Sequence, residues 1–208
     1  GSEMCIRDSK NNYQRNSYSA SFVVKKQFSD TSEEGLAFIY ATEGSTLDSL
    51  HEDLFKQISR EKKGGAGNAT SNTMDILNKL PRWFVKFFIW LMRQLDRHGI
   101  VPKAIIEADP YYASVILSNL GSIKLRSGYH HLTNWGTTSL FVVVGEMKER
   151  IFRNENGEDE YRNSVDLGLT IDERLADGYY YSKSVRLLKY ILEHPECLER
   201  PFSEPVDY

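Results

Sequence analysis

The chain is short of the residues that mark several large classes of protein. It has two cysteines, Cys5 and Cys197, at opposite ends of 208 residues. That is no disulfide framework, and a reducing, cytoplasmic location fits it better. No charge of one sign dominates. Lysine and arginine total 26 against 29 acids, a net charge of −3, which gives no reason to expect nucleic acid or an anionic membrane as a partner. No secretory leader is visible. The most membrane-like stretch, Trp83 to Arg93, is interrupted by Lys86 and ends on a second cation, well short of the ~20 apolar residues a span needs. The glycine-rich run Lys63 to Asn68 lacks the Gly-Lys-Ser/Thr ending of a phosphate loop and reads as a connector. Among five histidines, only His130 and His131 are adjacent. With no further ligands nearby they make a poor zinc site, and no metal is expected.

What is present is ordinary for one globular domain with a substantial core: 40% hydrophobic and 26% charged residues. Gly1-Ser2 resembles a tag-cleavage scar and Glu3 to Ser9 resembles sequencing-adaptor read-through. Residues 1–9 are therefore set apart from a domain expected over 10–199, and 200–208 is expected to be a loosely held tail.

Phe22 to Val24 and Gly35 to Tyr40 read as a hairpin about a turn at 29–34. Leu47, Leu50, Leu54 and Ile58 recur at helical steps, predicting an amphipathic helix ending near Lys62. Asn72 suits the N-cap of a short helix that Pro81 ends. Pro81 in turn suits the first position of a helix closing at Gly99. Five aromatics between Trp83 and Trp90 predict that this helix is buried on several sides, or covered by another subunit or a missing segment. Ala113 to Leu117 reads as a central strand running into Ser118-Asn119-Leu120-Gly121, and Thr138 to Val144 as another. Met147 to Phe152 and Glu160 to Ile171 read as strands joined by a type I′ turn at Asn156-Gly157. Ser182 is a candidate N-cap for a last helix that Pro195 ends.

Two of these stretches resemble a known family. Asp172-Glu173-Arg174-Leu175-Ala176-Asp177-Gly178 is similar to the D-H-R-x-x-D-G turn in the acyltransferase component of 2-oxo acid dehydrogenase complexes, which shares its fold with chloramphenicol acetyltransferase. Ser118 to Gly121 resembles the family's S-N-L-G or S-S-L-G turn, and Asn134 is similar in position to an asparagine of the loop before its next strand. The likeness extends over about residues 20–198. The family's central histidine is Glu173 here.

The resemblance implies an α/β fold, a mixed sheet flanked by helices like chloramphenicol acetyltransferase, in an N-terminally shortened catalytic domain without a lipoyl group. It implies homotrimers with sites between subunits. It also implies acyl transfer from a coenzyme A thioester, in which Ser118 holds the oxyanion and Asp177 orders the turn. A thiol of pKa ~8.5 is matched by a histidine at ~6.5, whereas a free carboxylate at ~4.3 is a weaker base. Glu173 is thus either a replacement base under an altered mechanism or a residue that only pairs with Arg174 or another cation. Ser118 could merely close a turn. His130 and His131 could supply a substitute base if the fold brings them near Ser118. The second functional reading is a catalytically silent homologue that binds a ligand or partner as a trimer.

Overall fold

The computed structural model describes residues 4–6, 12–15, 17–25, 34–62, 79–200 and 204–206. Strands β1 (Met4–Ile6) and β2 (Asn12–Gln14) pair antiparallel, apart from the other ladders. β3 (Tyr18–Lys25) and β4 (Glu34–Ala41) form the expected hairpin. The long excursion that follows begins with α1 (Leu47–Lys62), continues through α2 (Arg82–His98) and ends with the short α3 (Lys103–Ala108). The chain then returns as β5 (Val115–Asn119), parallel to β3. β6 (Leu140–Val144) lies parallel to β5. After the two-stranded hairpin of β7 (Lys148–Arg153) and β8 (Asp159–Ser164), β9 (Leu167–Ile171) closes antiparallel on β6. The last helix is α4 (Gly178–Glu193). The result is a five-stranded mixed sheet in the order β4-β3-β5-β6-β9, flanked by helices, as expected.

The central strands Val-Ile-Leu and Leu-Phe-Val-Val-Val are apolar at successive positions because both faces of the sheet are at least partly covered. Ile116, Phe141 and Val143 are buried on one face, under Tyr111, Leu120 and Leu132. The outer edge at β4 is closed by a side chain of α1. The Phe38 N–H donates to Gln57 Oε1 at 2.8 Å, and Gln57 Nε2 donates back to the Phe38 carbonyl. This satisfies edge groups that would otherwise template another strand. Arg15 ties the approaches to β5 and β6 together. Its guanidinium donates to the carbonyls of Tyr112 (3.0 Å), Ala113 (2.9 Å) and Thr137, and to Thr137 Oγ1 at 2.8 Å.

Several local expectations change. Pro81 is the N-cap of α2, one position before its first helical residue, while Gly99 takes the left-handed conformation (φ 69°) that ends it. The tip of the β7–β8 hairpin is not a type I′ turn. Gly157 alone has positive φ there, and its N–H donates to Asn154 O at 3.0 Å. Asn154 Oδ1 accepts from the N–H groups of Asn156 and Glu158. A type I turn followed by a left-handed glycine makes a bulged loop, which the Asn154 side chain favours. The strand expected to run from Glu160 to Ile171 breaks at Val165-Asp166, where Asp166 accepts two bonds from Arg150 (2.8 and 2.5 Å). The helix begins before Ser182, at Gly178, with Asp177 as its N-cap. Ser182 lies inside it and donates to the Tyr179 carbonyl.

Of the two expectations for the aromatic helix, burial on several sides is not met among the described residues. Met92 packs with Val101 and Tyr112, surrounded by Phe88, Leu95, Ile105 and Trp135, and Tyr112 Oη donates to the buried Asp96 carboxylate at 2.7 Å. That is one side only. On the other, Trp83, Phe87 and Trp90 are 70%, 53% and 55% exposed. Among the described residues no helix is long and apolar enough to cross a membrane. The turn at 29–33, the glycine-rich run and the short helix expected after Asn72 lie outside the described residues.

Candidate functional site

The 172–178 turn is built from the end of β9. The Asp172 N–H donates to the Ser139 carbonyl at 2.9 Å, continuing the β6–β9 ladder by one bond. The Asp172 side chain is 7% exposed and accepts from the backbone N–H of Arg174 (3.0 Å), from its Nε (2.9 and 3.1 Å) and from Nη2 (2.7 Å). Burial pushes the Asp172 carboxyl up, but the hydrogen bonds and charge of Arg174 outweigh it and hold the group below the usual carboxylate range. Arg174 Nη1 also reaches Asn134 Oδ1 at 3.4 Å, so the loop before β6 is joined to the turn. Tyr181 Oη donates to the Asp172 carbonyl at 2.8 Å, and Asp177 Oδ1 accepts the Tyr180 N–H at 3.0 Å. Both contacts fasten α4 to the turn.

Glu173 lies between the two partners of this lock. Arg174 is engaged by Asp172, and Glu173 is exposed with no hydrogen bond or ion pair among the described residues. The pairing with Arg174 considered from the sequence does not form. Asp177 is exposed and orders the turn as a helix cap.

Ser118 stands on the central strand β5, opposite Val143, which in turn faces Gly168 on β9. Its half-buried side chain has no hydrogen-bond partner among the described residues. Just beyond it, Asn119 Oδ1 accepts the Ser122 N–H and caps the 3-10 turn of Leu120–Ile123. Gly121 is required by close approach: a Cβ there would sit 2.5 Å from the Gly145 carbonyl oxygen. Gly168 is tighter still, since the Gly128 carbonyl occupies the space of a Cβ. The segment after the S-N-L-G turn therefore crosses directly over the sheet at the Ser118 end.

Within one chain the two motifs do not meet. Ile171, one residue before the turn, shares a row with Leu140 and Val115, three residues from Ser118 toward the start of β5. Two strand spacings across the sheet and about five residues along it put the backbones of Ser118 and Glu173 roughly 15–20 Å apart. His130 is nearer Ser118. It stacks on Phe141 with ring centroids 4.2 Å apart, and Phe141 shares its sheet face with Ser118 one row away. His130 Nδ1 donates to the His131 carbonyl at 2.8 Å. His131 is exposed. Among the described residues no group of three or more His, Cys, Asp or Glu is placed to hold a metal ion.

The resemblance singled out Asp172, Arg174 and Ser118 in the sequence, but not the cross-link from Arg174 to Asn134. Only the asparagine's place in the loop before β6 hinted at it. Tyr181 was missed, and a tyrosine at the start of an amphipathic helix carries no signal of its own.

No protein-family model matches the chain, and no curated protein matches it in sequence. In fold it is similar to a probable dihydrolipoamide acetyltransferase from Listeria monocytogenes, with 11% identity, a TM-score of 0.59, and coverage of 99% of this chain and 66% of that one. It is similar to the cubic core of the pyruvate dehydrogenase multienzyme complex, at 12% identity and a TM-score of 0.57, covering 91% of this chain and 60% of that one. A third neighbour is the dihydrolipoamide acetyltransferase of Azotobacter vinelandii, at 12% identity and a TM-score of 0.55, covering 94% and 62%. The chain thus spans about two thirds or less of its neighbours' length. At these identities the likeness is one of architecture, and this chain has the fold of a dihydrolipoamide acetyltransferase catalytic core.

Proposed function

We propose that this chain is an acyl-transfer domain acting on a coenzyme A thioester, with its site completed between copies of a homotrimer. The observation that supports this best is the placement of the two motifs. Ser118 and Glu173 sit toward opposite ends of one sheet, each without a partner among the described residues. A head-to-tail contact brings one end of a molecule against the other end of its neighbour, and such heterologous contacts close into rings. The mechanism of the Azotobacter enzyme has been studied through a serine, a histidine and an asparagine, the last two four positions apart. Glu173 and Asp177 have the same spacing.

On this reading Glu173 takes the proton from the acceptor thiol, and the thiolate adds to the thioester carbonyl. Ser118 Oγ donates a hydrogen bond to the resulting oxyanion. The tetrahedral intermediate collapses, the C–S bond to coenzyme A breaks, and the proton held by Glu173 passes to the leaving thiolate. The weakness of a free carboxylate against histidine is about two pKa units, each ~1.4 kcal/mol of driving force. Burial raises carboxylate basicity. Glu173 is exposed in the single chain, so that burial has to come from the neighbouring copy. Asp172 and Arg174 hold the backbone of position 173, and Asn134 braces the arginine.

The second reading is the catalytically silent homologue, and the exposure of Glu173 favours it. Thiol release from acetyl coenzyme A, followed across pH 6–9, separates the two. Glu173→Gln abolishes turnover if the carboxylate is the base. Glu173→His raises it, by up to the ~10²–10⁴-fold that general base catalysis supplies. Coenzyme A binding without turnover in all three proteins supports the silent reading. Native turnover that survives Glu173→Gln rules Glu173 out and turns attention to His130.

A further inference from the structure

The outward side of α2 carries a pattern that the acyl-transfer reading does not use. Trp83, Phe87 and Trp90 recur at steps of four and three and form one stripe. Phe88, Met92 and Leu95, which pack toward the core, recur at the same steps on the opposite side of the helix. The outward stripe is composed of large aromatic groups more than half exposed. Beside it Arg82, Lys86 and Arg93, at steps of four and seven, make a row of exposed cations. None has an ion pair among the described residues. The one acid of the helix, Asp96, is buried on the inner side and accepts from Tyr112. An aromatic stripe flanked by cations, with no exposed carboxylate, is complementary to a surface that is apolar beneath and negative at its boundary.

We propose that the outward face of α2 docks this protein on an anionic lipid surface. The tryptophan and phenylalanine rings enter the region between headgroups and acyl chains, and Arg82, Lys86 and Arg93 meet lipid phosphates. A helix lying in the plane of the bilayer needs neither the length nor the uniform apolarity of a span. The net charge of −3 does not oppose this, because attraction at a surface depends on charges within a Debye length of it. Charge argues against a symmetric contact with a second copy through this face. A symmetric contact through this face would set cation rows against each other with no carboxylate of α2 between them, and lysine is depleted from such contacts.

The test uses the full chain with vesicles of phosphatidylcholine alone and of phosphatidylcholine with phosphatidylglycerol, read by cosedimentation and tryptophan emission. The expected result is at least about tenfold stronger binding to the anionic vesicles, with a blue shift in emission and a loss of binding at high salt. Lys86→Glu with Arg93→Glu lowers binding by about tenfold or more. Trp83→Ser with Trp90→Ser abolishes the blue shift while circular dichroism stays unchanged. Equal binding to neutral and anionic vesicles overturns the proposal, as does no binding to either or indifference to the charge reversals. Light scattering provides a further arm. An oligomer that dissociates in the Trp83→Ser, Trp90→Ser protein, with no vesicle binding by the native chain, makes a second copy the occupant and also overturns it.

Discussion

The 172–178 turn and helix α2 satisfy their side chains in opposite ways. In the turn nearly every polar group finds its partner within the chain: Asp172 with Arg174, Arg174 with Asn134, Asp177 with the start of α4. In α2 the inner stripe is packed while an equally apolar outer stripe faces solvent. The turn is specified by contacts inside one molecule. Among the described residues the outer stripe of α2 has no such packing partner, and the proposed lipid contact is what would account for it. The same contrast separates Asp172 from its neighbour Glu173: one is buried and bonded, the other exposed and without a partner among the described residues.

The strongest way to break this comparison is to remove the lock. Asp172→Ala takes away the acceptor of four hydrogen bonds from Arg174 and is expected to destabilise the chain by about 1.5–3 kcal/mol, as for bonds to charged groups, read by urea denaturation. The pH dependence follows from the same group. Its folded-state carboxyl lies below the ordinary range, so its contribution is fully present above the unfolded value near 3.9 and is lost as pH falls through the lower folded value. Asp172→Asn is expected to flatten that part of the acid limb. If the acid limb is unchanged in Asp172→Asn, the ion pair is not the source of stability.

The next effect tests close approach at the Ser118 end. Gly168→Ala places a methyl group on the Gly128 carbonyl and forces backbone to move, at about 1–3 kcal/mol. Thermal melting reads the loss, and an unchanged melting temperature would show that the segment over β9 yields freely. The smallest effect is expected on the outer stripe. Trp90→Ser is predicted to change the stability of the lipid-free chain by less than about 0.5 kcal/mol, as for other exposed sites. A loss of several kcal/mol in urea would mean that Trp90 is packed in solution.

Much of the sheet was legible because its signals are local and repeated. The apolar runs of β5 and β6, the helical steps of α1 and Gly99 at the end of α2 each lie within one element. The turn at 172–178 was legible as a motif, and its internal bonds span two or three residues. Contacts that join distant segments were not. Asn134 and Arg174 are 40 residues apart, and nothing local in either sequence indicates the other. The start of α4 was misplaced because Tyr179, Tyr180 and Tyr181 do not resemble a first helical turn, whereas Ser182 resembles a cap. Asp177 had already supplied that cap. The type I′ turn was misjudged because Asn156-Gly157 favours it, while Asn154 two residues earlier can bind two backbone N–H groups and favours the bulged loop. On α2 the aromatic content was plain, but a sequence records only that a stripe is apolar and not whether its cover belongs to the same molecule.

The parallel pairing of β3 with β5 has a consequence for how the molecule is made. Ser19 and Ser114, at the start of that ladder, are 95 residues apart, so the centre of the sheet closes the longest loop among its strand pairings. Loop closure of this length slows folding more than it weakens the finished structure. On the ribosome, where chains emerge at about 5–20 residues per second, the β3–β4 hairpin, complete at Ala41, leaves the tunnel roughly four to sixteen seconds before β5. During that interval the inner edge of β3 has no strand beside it, while Gln57 of α1 is already available to cover the outer edge of β4. The nascent chain is therefore most open to wrong strand pairing along the edge that later becomes the middle of the sheet.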